Sequence, residues 1–217
     1  MNGRFITFEG TEGGGKSTQI QLLAERLRRE GHIVRLLREP GGTPIGEEIR
    51  HLLKHSESNR AMSAEAELLL MNASRAQLVR EIIRPALAAG ELVLSDRFYD
   101  STTAYQGYGR QLDLARVQAI IDFAVGDTRP DLTLLLAVPV AVSEARRQSR
   151  HTGTTPPRDR LEEADRSFFQ RVEKGFHAIA AAEPQRVRVV DATRSVTEVS
   201  AAIWQLVERL IGPAGAK

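Results

Sequence analysis

The chain contains no cysteine. That excludes disulfides, thiolate catalysis and cysteine-ligated zinc, and it fits a reducing, cytoplasmic setting. No apolar run is long enough to span a bilayer, and no signal-peptide pattern precedes the strand-like run at Arg4, so no membrane association is expected. No long Lys/Arg run occurs, and 30 basic against 28 acidic residues leave a net charge of only +2, which speaks against nucleic-acid binding. The five histidines, His32, His51, His55, His151 and His177, show no metal-ligand spacing and read as surface residues. Neither an internal repeat nor an interdomain linker is present. What remains is an ordinary globular composition, 41% hydrophobic and 27% charged, over 217 residues. This length suits one domain with a substantial core.

Periodicity divides that domain into alternating strands and helices. Strand-like runs lie at Arg4 to Glu9, Ile33 to Arg38, Leu92 to Ser95, Leu132 to Val138 and Val187 to Val190. Helical spacing marks Lys16 to Glu30, the stretch with Ile45, Ile49, Leu52 and Leu53, and a long region from Glu65 to Leu87 broken near Pro85. It recurs around Val117 to Ala124, from Arg158 to Ala182, and from Val196 to Leu210. Alternation of this kind predicts an α/β domain with a five-stranded parallel sheet and helices on both faces, three layers in all. The domain is expected to span 1–212, with 213–217 a flexible tail. One stretch stands apart. Arg146 to Arg160 carries five arginines around Gly153-Thr154-Thr155-Pro156-Pro157 and little to bury, so a small mobile lid is expected at about 143–160.

Gly10-Thr11-Glu12-Gly13-Gly14-Gly15-Lys16-Ser17 fits G-x-x-x-x-G-K-[ST], with a strand before it and a helix, including Thr18, after it. Glycines let the backbone curl so that successive N–H groups face phosphate oxygens, and the helix N-terminus adds a favourable dipole. Lys16 is expected to reach the β- and γ-phosphates of ATP, and Ser17 to ligate Mg²⁺. Such a loop says only that a nucleoside triphosphate is bound. Asp96-Arg97-Phe98 follows the third strand, where open α/β sheets place ligands. Asp96 can join the magnesium shell and Arg97 can grip a phosphate with two prongs.

These segments, taken with Arg38-Glu39-Pro40-Gly41-Gly42-Thr43, Ser101-Thr102-Thr103-Ala104-Tyr105-Gln106-Gly107 and Asp159-Arg160-Leu161-Glu162, resemble the bacterial-type thymidylate kinases from Phe5 to at least Asp191. The resemblance implies a P-loop kinase fold and transfer of the ATP γ-phosphoryl group to dTMP, giving dTDP for dTTP synthesis, in a homodimer. It assigns roles residue by residue. Glu12 accepts from the 3′-hydroxyl of dTMP. Arg50 and Arg97 hold its phosphate. Arg75 donates to thymine O4, and Gln106 donates to the base edge. Thr102 lies in the same substrate segment. Tyr105 lies beside C2′, and Glu39 sits near the magnesium and the phosphates. Met71 stands where the family usually has Phe or Tyr stacked on thymine.

The arginine-rich stretch resembles the family's lid. The phosphate loop has no arginine between Thr11 and Gly15, so Arg150, Arg158 and Arg160 are the candidates to supply the catalytic one, beside Lys16 and Arg97. No catalytic histidine is required, because a phosphate monoester with a second pKa of about 6 is already ionised at neutral pH. Two alternatives stay open: a kinase for another nucleoside monophosphate, or a nucleotide switch or ATPase without a phosphoryl acceptor.

Overall fold

Along the first strand, β1 (Arg4–Glu9), Phe5 faces one side of the sheet while Ile6 and Phe8 face the other, and all three are fully buried. A period-2 strand that is apolar on both faces needs cover on both. The computed structural model describes residues 3–56, 59, 61–150 and 165–212, with the side chains of 147–150 excepted. In it, β1 is the central strand of a five-stranded, wholly parallel sheet of order β2-β3-β1-β4-β5. Here β2 is Val34–Arg38, β3 is Leu92–Asp96, β4 is Leu132–Ala137 and β5 is Val187–Asp191.

Two helices cover the Ile6/Phe8 face. They are α1 (Lys16–Arg29), through Ile20, Leu23 and Leu27, and the last helix of the chain (Val196–Ile211), through Val199, Ile203 and Val207. That last helix is closed at its start by a reciprocal capping box, Ser195 with Glu198. The Phe5 face is covered by α3 (Ala64–Leu78) and by the helix Leu114–Val125, with Leu78, Val93, Phe98 and Ile121 in one cluster. A third cluster joins Leu135 to Phe168, Val172 and Phe176 of the helix Arg166–Ala182.

The break in the long helical region comes earlier than Pro85. After α3 the backbone widens into a π turn at Val79–Ile83 and then resumes as α4 (Arg84–Ala88). Proline lacks an N–H and crowds the carbonyl four residues back, and a widened turn just ahead of it relieves both problems. The helix expected from Arg158 begins at Arg166, capped by the Asp165 side chain on the Phe168 N–H; residues 158–164 lie outside the described part. Of the expected lid, residues up to Arg150 belong to the helix Val140–Arg150, and the remainder lies outside the described residues, as does the tail 213–217. Ile33 precedes β2 and is exposed.

The strand order sets the location of the site. In register, Asp96 at the end of β3 pairs with Arg38 of β2 on one side and with Phe8 of β1 on the other. Three chain segments therefore leave the sheet side by side: the loop after β1, the Arg38-Glu39 loop and the Asp96-Arg97 loop. Carboxyl ends of parallel strands near a reversal of strand order form the usual ligand crevice of this architecture.

Candidate active site

The loop after β1 is shaped by its glycines. Gly10, Gly13 and Gly15 have φ of 128°, 82° and 86°, in the region that side chains disfavour. At Gly10 a Cβ would also lie 2.5 Å from the Leu136 carbonyl oxygen, so the loop can hug β4 only with glycine there. Lys16 folds back over the loop, and its Nζ donates to the Gly10 and Thr11 carbonyls at 3.1 and 3.0 Å. Burial, and then the nearby Arg97 charge, bring this ammonium down to about 8. The Gly14 N–H donates to the Thr11 carbonyl, and the Thr11 hydroxyl is buried without a partner among the described residues.

Ser17 Oγ donates to Asp96 Oδ2 at 3.2 Å, so the two oxygens expected to hold Mg²⁺ meet at the mouth of the loop. Both are hard oxygen donors of the kind Mg²⁺ takes in ones and twos alongside phosphate and water, so the pair fits that ion. Among the described residues no cluster of three or more His, Cys, Asp or Glu could hold a metal.

Arg97 lies between this loop and a second cleft. Its backbone is left-handed, φ 73°, which costs energy in a non-glycine residue. The conformation is held from every side. Its N–H donates to the Phe8 carbonyl, its carbonyl accepts from Ser95 Oγ, and the next N–H, that of Phe98, donates to Glu9 Oε1 at 2.8 Å. Glu9 is fully buried and also accepts from the N–H and hydroxyl of Ser101. Burial, reinforced by Asp100, pushes its carboxyl up to about 7 against the pull of Arg97. The Arg97 guanidinium then spans the two clefts, donating to Gly10 O and Ser101 Oγ through one nitrogen and to the Tyr105 hydroxyl through another, 3.9 Å from Glu12.

The second cleft lies against α3 and the π-helical turn Thr103–Gly109; Met71, Arg75, Thr102, Tyr105 and Gln106 line it. On α3, Met71 and Arg75 border the cleft, whereas Leu68, one turn earlier, belongs to the core. Every guanidinium nitrogen of buried Arg75 already has an oxygen partner. Nε donates to Glu39 Oε2 at 2.8 Å, and a terminal nitrogen lies 2.7 Å from the same oxygen. The terminal nitrogens also donate to Asn72, Thr102 and the Phe98 carbonyl. Donation to an incoming base oxygen would therefore displace one of these partners. Burial raises the Glu39 carboxyl above its usual range against the opposing Arg75 charge, and Glu39 Oε1 has no partner among the described residues.

Arg50 donates to the Pro40 carbonyl and lines the phosphate-loop cleft together with Thr18 and Arg38. Glu12, Glu39, Lys54 and Arg97 line both clefts. The structure thus brings together every described residue that the sequence marked. The side chain of Arg150, and Arg158 and Arg160 entirely, lie outside the described residues.

Several residues here had no motif to announce them. Lys54 follows Arg50 by four positions on α2 (Pro44–Lys54), a spacing that puts both on one helical face and could have revealed it. Glu9 was read only as the end of a strand. Arg146, read as part of the lid, donates to the carbonyls of Gly13 and Ala192 behind the loop. No helix among the described residues is long and apolar enough to cross a membrane.

Comparison with known proteins agrees with this geometry. The thymidylate kinase family pattern matches residues 8–203. Thymidylate kinase of Alcanivorax borkumensis is 49% identical over 210 residues, covering 97% of this chain and 98% of that one. Thymidylate kinase of a Synechococcus strain is 50% identical over 204 residues, 94% of each chain. The crystal structure of thymidylate kinase from Ehrlichia chaffeensis superposes with a TM-score of 0.74 at 33% identity, covering 95% of this chain and 99% of that one. A likeness that runs through both clefts and nearly the whole length of each relative has one reading: the chain belongs to the thymidylate kinase family.

Proposed function

We propose that the chain moves the γ-phosphoryl group of ATP onto dTMP, giving dTDP and ADP. The observation that carries this is the pair of adjoining clefts, one floored by a phosphate loop and one bordered by polar groups, with Arg97 between them. Donor and acceptor are both polyanions whose reacting oxygens must come within about 3–3.5 Å. Lys16, released from the loop carbonyls, would pair with the β- and γ-phosphates. Arg97, Arg50 and Lys54 would hold the acceptor phosphate at the boundary. Ser17 and Asp96 would hold Mg²⁺, which when bound supplies positive charge to the transferring phosphoryl oxygens. The backbone N–H groups of Gly13, Gly14 and Gly15 would cradle the donor phosphates, with Gly10, Thr11 and Thr18 flanking them. No base is needed, since the acceptor phosphate is already ionised.

Glu12 would accept from the 3′-hydroxyl, Met71 would lie on the base, and Tyr105 would lie beside the sugar. Glu39 would orient Arg75 at the base end. One of Arg150, Arg158 and Arg160 would close on the phosphates as the lid of a single domain, 1–212. The chain would work as a cytoplasmic homodimer without nucleic acid or membrane. ADP release measured across dTMP, dUMP, dCMP, dGMP and AMP tests the reading. Turnover confined to dTMP and its near analogues supports it. ADP release that is independent of any acceptor refutes it.

A further inference from the structure

Gln106 is 1% exposed and lines the acceptor cleft, and its amide is not free to turn. Nε2 donates to Glu67 Oε1 at 2.7 Å. Glu67 is itself fully buried in the first turn of α3 and is gripped by Arg110, whose Nε reaches Oε1 at 3.2 Å and whose terminal nitrogen reaches Oε2 at 3.0 Å. The Arg110 guanidinium is in turn seated 4.8 Å from the Phe168 ring centroid. A carboxylate offers only acceptors, so the amide nitrogen must face Glu67. A turned amide would set its oxygen against the carboxylate, a repulsion inside a dry pocket. The amide oxygen is therefore left for the cleft, and no described residue donates to it.

A second polarity is set four residues earlier. Thr102 Oγ1 accepts from Arg75 at 2.9 Å, which leaves its own hydroxyl proton to donate. The cleft thus offers one acceptor at Gln106 and one donor at Thr102, each fixed by a buried charged partner. A pyrimidine-2,4-dione presents the matching pair, a protonated N3 and the O4 acceptor. Cytosine reverses both, with a bare N3 and an amino group at C4.

We propose that Glu67 and Arg110 are positioning residues for base selection: by fixing the Gln106 amide they make the cleft demand a ring N3–H and reject cytosine. This rests on the reading of the chain as a dTMP kinase and extends it to residues outside the cleft. It also reverses the expected direction of the Gln106 contact, from donor to acceptor.

The test compares kcat/KM for dTMP and dCMP in the wild type and in Glu67→Gln, whose amide can accept or donate and so no longer dictates the Gln106 orientation. The dTMP-to-dCMP preference should fall by about ten-fold or more, the worth of one well-made hydrogen bond. The KM for ATP should stay unchanged, which a general loosening of the fold would not spare. Arg110→Lys, which keeps the charge but loses the two-pronged grip, should fall between the two. An unchanged preference in a folded Glu67→Gln overturns the proposal. Should that variant fail to fold, wild-type binding of 3-methyl-dTMP decides: loss of the imino proton must weaken binding at least ten-fold, and equal binding overturns it. Absence of dTMP turnover in the wild type would instead refute the underlying dTMP kinase reading.

Discussion

Glu9 is the buried acid on which the Arg97 loop hangs, and its titration should be visible in stability. Its carboxyl rises from an ordinary 4.5 to about 7, chiefly through burial and then through Asp100. Below pH 4.5 the folded and unfolded chains both carry the proton, and the group adds no penalty. Between 4.5 and 7 the unfolded chain releases the proton while the folded chain keeps it, so stability falls as pH rises. Above 7 both are ionised and the full penalty is present. A displacement of that size corresponds to about 3 kcal/mol between pH 4.5 and pH 7. Glu9→Gln removes the titration but keeps one oxygen for the Phe98 and Ser101 N–H groups, at a cost of roughly 1–3 kcal/mol for the weakened hydrogen bonds. Urea unfolding of both proteins at pH 5, 6, 7 and 8 isolates the effect of Glu9 and its coupling to Asp100, because carboxyls remote from Glu9 cancel in the difference. The variant should be clearly the less stable at pH 5 and should close or reverse the gap by pH 8. A difference that does not change with pH would refute the account.

Four further outcomes follow from the same contacts. Lys16→Ala should leave the fold intact and reduce kcat below roughly a tenth of wild type at unchanged dTMP affinity, read by steady-state kinetics and a melt. Arg75→Ala leaves the Glu39 charge buried without its partner and should cost about 3–5 kcal/mol in denaturant unfolding. Among Arg150→Ala, Arg158→Ala and Arg160→Ala, at least one should lower kcat by about 10³ with far less effect on dTMP affinity; wild-type kcat in all three would place the catalytic arginine elsewhere. Met71 borders the cleft and is only half-buried, so Met71→Phe should tighten dTMP by about 1 kcal/mol in calorimetry, the difference between aromatic and thioether stacking. A lower melting temperature with no gain in affinity would show overpacking instead.

The strands and most helices were legible because their signal is local. All five strands lie within a residue or so of where alternation and apolar runs put them, and the phosphate loop is found where a strand gives way to Lys16. Their order was not legible, since nothing in β1 states that it pairs with β3 rather than β2. Nor were the π turns: Val79–Ile83 reads as plain helix, and Thr103–Gly109, with its two glycines, gives no helical spacing at all. In the site, the motifs named Arg97, Arg75 and Gln106, and Glu39 beside Arg75, but not Glu9 behind the Arg97 loop or Glu67 behind Gln106. Glu9 looked like a strand end and Glu67 like a polar helix start, because burial of a carboxylate depends on partners 39 to 92 residues away.

Paired oxygens explain why the site can carry so much positive charge before any phosphate arrives. Arg75, Arg97 and Lys16 are each nearly out of water, and charges placed there alone would be driven toward neutrality or outward. Each has instead a buried or half-buried oxygen within reach: Glu39 for Arg75, Glu12, Gly10 O and the Tyr105 hydroxyl for Arg97, and the carbonyls of Gly10 and Thr11 for Lys16. These partners differ in how readily they can be given up. The carbonyls on Lys16 and the distant Glu12 on Arg97 are weak, so phosphates can take their place at little cost. The Arg75–Glu39 pair is buried and charge-assisted, with two guanidinium nitrogens on one carboxylate oxygen, so it is harder to displace. On the proposed reading the two kinds of arginine contact would separate by function: exchangeable at the phosphates, fixed at the base. The left-handed backbone of Arg97 accompanies the first kind: it is found where the guanidinium lines both clefts.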